Sequence, residues 1–272
     1  MTNGKERTEG HLARLWALVQ GALRPPSGGR RIALALAAGA LCHAVFALAV
    51  IAMIWAMFHG MSRSLGALSW PWAVLGNAAL LVQFPLLHSV LLNGRGARIV
   101  AGLVPGPYGG VLATTSFATL ASVQLAALFL LWTPSGIVWW RAEGGLFFLI
   151  STVYAASWML LIKASWDAGA EVQSGALGWM SLMADRRPRF PDMPETGLFR
   201  VIRQPIYLAF ALTLWTVPVW TPDQLALALV LTGYCLAAPV LKERRFVRRY
   251  GTRFETYRKT VPYMVPFRGK DG

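Results

Sequence analysis

Residues 205–241, PIYLAFALTLWTVPVWTPDQLALALVLTGYCLAAPVL, decide the fold. Two apolar runs, 205–220 and 224–241, are separated only by Thr221-Pro222-Asp223. Each run is slightly shorter than the ~20 residues that cross a bilayer as a helix. A connection this short joins antiparallel neighbours. The pair therefore predicts a tight helical hairpin, with Asp223 as N-cap of its second arm and kinks at Pro218 and Pro239.

Working outward, four more apolar runs precede the hairpin, at roughly 32–58, 71–92, 109–132 and 145–162. The 272-residue chain is 56% hydrophobic and 14% charged, where a soluble domain carries about 25% charged residues. The fold class expected is all-α: a polytopic transmembrane helical bundle of about six spans, ending in the hairpin and an amphipathic tail. The basic residues set its orientation. With the N-terminus in the cytoplasm, 24 of the 26 lysines and arginines fall on the inner side, leaving only Arg63 and Arg141 outside. That asymmetry follows the positive-inside rule and puts both termini in the cytoplasm. Trp70, Trp72, Trp132, Trp139, Trp140 and Trp220 fall at the outer ends, where amphipathic rings settle at the membrane interface. The excess of arginine over lysine points to a GC-rich bacterial genome, hence to a bacterial inner membrane.

Residues 1–31 read as a polar, basic cytoplasmic tail without a cleavable signal. Within it, 11–23 (HLARLWALVQGAL) fits either an interfacial amphipathic helix or a loosely ordered segment, and Pro25-Pro26-Ser27-Gly28-Gly29 breaks the chain. Residues 32–272 read as a single integral-membrane domain. The net charge of +14 flanks apolar runs instead of lining a wet groove with stacking rings, so nucleic acid is excluded as a partner. Membrane lipids are the expected surroundings. Cys42 and Cys235 lie within apolar runs and suit packing rather than a disulfide or metal site. Gly94-Arg95-Gly96 is a fragment of a phosphate-loop pattern without its strand, and reads as a turn. His88, three residues after Pro85, suits a hydrogen bond between helices or a haem or metal ligand.

Chemistry concentrates beyond residue 196. Arg203, Gln204 and Tyr207 stand at the start of the hairpin and Glu243 at its end, so an antiparallel pair brings them together. Arg203 and Tyr207 share a helical face if the helix starts that early. Pro205 suits a first helical turn. After Glu243 a basic amphipathic helix places Phe246, Tyr250 and Tyr257 on one face. Gly251 interrupts it, Thr252-Arg253-Phe254-Glu255 matches a capping box that restarts it, and Pro262 and Pro266 end it. This tail is expected to lie on the cytoplasmic surface and cover a site.

At these residues the chain resembles the membrane methyltransferase superfamily that includes isoprenylcysteine carboxyl methyltransferases and phospholipid methyltransferases. That pattern is Arg-His-Pro followed by Tyr, a hairpin, Glu-Glu, then Tyr-Gly, Tyr and a Val-Pro ending in Pro. Here Arg203, Pro205, Tyr207, Glu243, Tyr250, Gly251, Tyr257, Pro262 and Pro266 match. The family histidine falls on Gln204 and the first glutamate on Lys242. Phe84-Pro85-Leu86-Leu87-His88-Ser89-Val90 and Trp132-Thr133-Pro134 resemble the NnrU-like branch, and the combination is most similar to bacterial methanethiol S-methyltransferases. The resemblance spans about 75–267, with the cofactor-site motif at 196–267.

It implies an S-adenosylmethionine site formed by hairpin and tail. Gln204, Pro205, Tyr207, Glu243, Tyr250 and Tyr257 would hold the cofactor, and Arg203, Tyr207 and Glu243 would serve catalysis. No metal is called for. The acceptor implied is a small or lipophilic thiol, or a prenylcysteine- or lipid-like group. The alternative is an NnrU-like protein that is not a methyltransferase, either haem-dependent and isomerase-like or one that has lost its activity.

Overall fold

A helix rises 1.5 Å per residue, so a 30 Å hydrocarbon core calls for about 20 apolar residues. The computed structural model describes residues 11–92 and 94–266. After α1 (His11–Leu23), the prolines and glycines of 25–29 turn the chain into α2 (Gly29–Phe58), followed by α3 (Trp72–Leu91), α4 (Gly94–Gly102) and α5 (Gly109–Leu131). A two-residue strand, β1 (Trp140–Arg141), leads to α6 (Gly144–Asp167) and the short α7 (Ala170–Gln173) and α8 (Ala176–Met183). Then come α9 (Pro205–Trp215), β2 (Val219–Trp220), α10 (Pro222–Tyr250) and α11 (Thr252–Thr260). Among the described residues, α2, α3, α5, α6 and α10 are long and apolar enough to cross a membrane. The chain is an integral membrane protein of all-α class.

The surface agrees with a lipid solvent. Leu41, Ile51 and Trp55 on α2, Val82 and Leu86 on α3, and Phe148 and Leu149 on α6 all point outward. The buried stripe of α2 is instead small: Ala35, Gly39, Cys42, Ala49, Ala52 and Ala56. Lipid tails are as apolar as leucine, so membrane helices associate through such close-packing stripes, and this one lies chiefly against α5. Larger residues fill the centre, among them Met57, Met61, Phe129, Trp158, Leu214, Leu227 and Leu231.

Both ends of the bundle are knitted. At one, β1 pairs antiparallel with β2, Trp140 opposite Trp220. Thr221 Oγ1 donates to the carbonyl of Gly60 at 2.5 Å, and the amide of Gly66 donates to Trp132 O at 3.0 Å. The three interhelical connections at this end are thus joined. At the other, Arg31 donates to the carbonyls of Leu182, at 2.6 Å, and Met183, and Arg245 donates to Leu92 O at 3.2 Å. Most of the arginines of 186–258 gather there.

Several expectations need correction. The run 205–220 is helical only as far as Trp215, because Pro218 removes a donor and 219–220 joins the ribbon; eleven residues make ~16 Å, about half a hydrocarbon core. The second arm and the basic amphipathic helix are one continuous α10, with Pro239 inside it. Its N-cap is Thr221, whose Oγ1 accepts from Gln224 N at 2.9 Å. Asp223 is buried and accepts from Trp132 Nε1 at 3.1 Å and from the Ser135 amide and hydroxyl at 2.9 and 2.6 Å. Trp132 is accordingly a core residue, unlike the exposed Trp70, Trp72, Trp139 and Trp140. Gly94-Arg95-Gly96 opens α4 instead of forming a turn, with Gly96 buried against the backbone of Leu91, where a β-carbon would not fit. Residues 11–23 are helical.

Candidate active site

The basic end begins with Asp167, the last residue of α6. Its carboxylate accepts from Leu198 N at 2.8 Å and from Lys163 Nζ at 2.5 Å. That fixes a 3₁₀ turn, Gly197–Arg200, and buries Phe199 within it. The chain then extends through Ile202–Gln204 before Pro205 starts α9 at N1, where its missing N–H costs nothing. Arg203 therefore lies outside the helix and does not share a helical face with Tyr207, as a helix starting earlier would have required.

Leaving the helix frees Arg203 to act as a clasp. Its Nε donates to Glu243 Oε1 at 2.9 Å, and Nη1 donates to the carbonyls of Arg258 and Val261 at 2.9 and 2.6 Å. Its own amide donates to Pro262 O at 2.9 Å, and that of Gln204 to Tyr263 O at 3.2 Å. Arg203 also faces the ring of Tyr263, at 5.4 Å. The pair is well shielded, Arg203 and Glu243 side chains being 6% and 12% exposed. The end of α10, the start of α9 and the closing segment of the tail converge on one guanidinium.

Gln204 joins the same carboxylate. Its Nε2 donates to Glu243 Oε1 at 2.8 Å, while its Oε1 accepts from Lys242 Nζ at 3.2 Å. An amide carries donor and acceptor at once, and here it bridges an anion and a cation that stand side by side in sequence. The Lys242 ammonium faces three rings, Phe199 and Phe246 at 5.4 Å and Tyr207 at 5.9 Å. This is an aromatic cage, the arrangement proteins use to hold onium cations.

Tyr207 also lines a cavity of roughly 180 Å³ with Ser89, Leu92, Tyr234, Ala238, Leu241, Arg244, Arg245 and Arg248. One tyrosine thus belongs both to the cage and to a basic cavity between α3, α9 and α10. His88, beside this cavity's Ser89, packs against Phe84, Phe117 and Tyr234, and its Nδ1 has no hydrogen-bond partner. The interhelical hydrogen bond expected of His88 is not made through this nitrogen.

The tail covers the cluster. Gly251, at φ +53° and ψ −128°, separates α10 from α11. It is also the N-cap of α11, so Thr252 is the first helical residue and the capping box does not form. Tyr257 donates to Phe199 O at 2.6 Å and packs on Phe254; burial raises its pKa against the opposing Arg203 charge. Tyr250 meets Phe246 edge-on and faces Arg249. Neither tyrosine contacts the caged ammonium, and both support rings that do. Arg253 ties the tail down through Asp192 at 2.6 Å and Glu195 at 2.8 Å.

Of the residues expected in a site, Arg203, Gln204, Tyr207 and Glu243 come together, Pro205 positions them, and Tyr250 and Tyr257 stand one layer behind. Phe199, Tyr234, Lys242 as a caged cation and Tyr263 were not foreseen as site residues. Lys242 and Phe246 are spaced i, i+4 on α10, a readable signal; Phe199 gave none, because its place depends on Asp167.

These features define a polytopic helical membrane protein with a polar, tail-covered site at the basic end of its spans. In sequence the chain is similar to methanethiol S-methyltransferase of Pseudomonas deceptionensis, 26% identical over 199 residues covering 73% of this chain and 74% of that protein. It is 28% identical to methanethiol S-methyltransferase of Crocosphaera subtropica over 202 residues, 73% of this chain and 76% of the other. Methanethiol S-methyltransferase 1 of Bradyrhizobium diazoefficiens is 27% identical over 197 residues, 72% and 68% of the two chains. These similarities agree with the membrane methyltransferase branch that the C-terminal motif resembles. No family model matches the chain, and no solved structure matches it.

Proposed function

We propose that this protein is a membrane methyltransferase that uses S-adenosylmethionine as donor and a small or lipophilic thiol as acceptor, methanethiol being the first to test. The names of its relatives supply the reaction class. The observation that carries the reading is the cage of Phe199, Tyr207 and Phe246, which holds a positive charge beside a basic cavity and shares Tyr207 with it. The charge asymmetry of the sequence favours a cytoplasmic position for this site, where a water-soluble donor meets an acceptor partitioned into the bilayer.

Bound there, S-adenosylmethionine supplies a methyl group already activated by a cationic sulfur. The protein then has to hold a cation, align the reactants and exclude water. The residues present fit such a group. Three rings already face a cationic group in this chain, Lys242 Nζ, and Glu243 and Gln204 offer an acceptor and a donor beside them. Lys242 has to withdraw when another cation enters, since two positive charges at contact repel. Arg203 keeps Glu243 in place and shuts the tail. Arg245 and Arg248 favour the thiolate of an acceptor in the cavity, the nucleophilic form of sulfur; its proton is released to water. The acceptor sulfur would gain the methyl as the donor's S–CH3 bond breaks, the donor sulfur keeping the electron pair and becoming a neutral thioether; the methylated acceptor, neutral too, then loses its hold on the arginines and leaves.

Calorimetric titration of the purified protein with S-adenosylmethionine, together with headspace detection of dimethyl sulfide from methanethiol, tests the reading. Tyr207→Ala removes one wall of the cage and should weaken donor binding by about 5- to 30-fold, the equivalent of ~1–2 kcal/mol. Tyr207→Phe keeps the wall and should spare donor binding while slowing turnover. No donor binding by the unaltered protein at millimolar concentration would overturn the proposal.

A further inference from the structure

A second cavity, of roughly 390 Å³, shares no residue with the first. It lies between α1 and α8, lined by Arg14, Ala17 and Leu18 on one side and Leu177, Ser181 and Ala184 on the other. Glu171 of α7 and the arginines of Arg186-Arg187-Pro188-Arg189 complete its lining. Arg14 pairs with Glu171 at 2.5 Å, and the Glu171 side chain is 1% exposed. That pair is neutral as a unit. Arg186, Arg187 and Arg189 are exposed, and among the described residues no carboxylate forms an ion pair with them. Three guanidiniums therefore line one cavity with no ion-pair partner among the described residues. Planar guanidiniums bind phosphate oxygens in pairs of parallel hydrogen bonds.

Two further observations narrow the ligand. Glu171 Oε2 is buried at the cavity wall with no hydrogen-bond partner. A buried acceptor of this kind calls for a donor, so the anion should carry a hydroxyl beside its phosphate. Apart from Ser181 the rest of the lining is apolar, and α1 exposes Leu12, Trp16 and Leu23. An amphipathic helix with exposed leucine and tryptophan lies in a bilayer surface, and basic pockets among membrane helices take lipid headgroups.

We infer that this cavity binds the headgroup of an acidic phospholipid with hydroxyl groups, phosphatidylglycerol in type. The phosphodiester would meet Arg186, Arg187 and Arg189, a glycerol hydroxyl would turn toward Glu171, and the acyl chains would stay in the bilayer beneath α1. The site anchors α1 to α8 and is independent of methyl transfer.

The test is native mass spectrometry of the full chain released from phosphatidylcholine discs with and without phosphatidylglycerol. The unaltered protein should retain one phosphatidylglycerol in preference to phosphatidylcholine. The triple variant Arg186→Gln, Arg187→Gln, Arg189→Gln, altered only at exposed positions, should lose that retention by about an order of magnitude. Arg95→Gln with Arg98→Gln on α4 should keep it. Equal retention of the two lipids, or retention by the triple variant, overturns the inference. So does displacement by millimolar glycerol phosphate or inorganic phosphate, which would assign the arginines to a soluble phosphate. Donor binding measured on the same triple variant should not change, which separates this site from the proposed active site.

Discussion

Arg203 directs its side chain at one carboxylate and two backbone carbonyls, and this fork is what joins the tail to the spans. A lysine would keep the charge and lose the fork. Arg203→Lys should leave the bundle folded while trypsin cuts after Arg258 and Lys259 more quickly. Arg203→Ala strands Glu243 without its cation, at a cost of about 3 kcal/mol or more, and should lower the melting temperature as well. Lys242 poses the opposite question. If its ammonium occupies the place of a cationic donor, Lys242→Met should tighten donor binding several-fold in calorimetry; weaker binding would make the lysine a partner of the donor instead of an obstacle. At this scale the sequence was informative about convergence. Two helix ends joined by a short turn return to one level, so Arg203, Gln204 and Glu243 were bound to meet. The cage was hidden, because Phe199 reaches it through a carboxylate on α6 that no local pattern announces.

The element most dependent on one residue is α11. Gly251 adopts a backbone conformation essentially restricted to glycine, and its side-chain position opens on empty space. Gly251→Ala would meet no clash and would still cost about 1–3 kcal/mol in backbone strain. It should raise amide exchange in 252–260 with little change in the spans. Acid should loosen the same helix. Partial burial opposes ionisation of Asp192, but the hydrogen bond and charge of Arg253 prevail and hold its carboxyl below its ordinary 3.8. A pKa lowered by folding stabilises above the unfolded value and ceases to do so as pH falls through the folded one. Exchange in α11 should therefore stay low at neutral pH and rise only below about pH 4, whereas Asp192→Asn should raise it already at neutral pH and flatten that acid response. The break at Gly251 was legible from the residue itself. The start of α11 was misread because Thr252 and Glu255 have capping-box spacing, yet Gly251 already occupies the cap.

Across the whole molecule, hydropathy made the class legible: five of six apolar runs form long helices. The fifth run, 205–220, failed the expectation through Pro218 and a two-residue ribbon, the latter tertiary in effect. Asp223 was placed at the correct end and given the wrong partner. It binds Trp132 and Ser135 across 88 to 91 residues of sequence, a pairing that needs the bundle assembled. Asp223→Ala should strand the buried Trp132 donor, at about 1–3 kcal/mol, and release both Ser135 donors, visible as a lower melting temperature in detergent with donor binding intact in the folded fraction.

The contrast between the two ends has a kinetic consequence. Where β1 meets β2, the three connections are stitched by backbone hydrogen bonds, so the spans are not free to splay there. At the opposite pole the closure is a segment of about a dozen residues held largely by side chains, those of Arg203, Arg253 and Tyr257. On the proposed function, admission and discharge would be governed by how often that segment lifts, and its lifting frequency would set a ceiling on turnover that faster chemistry cannot raise.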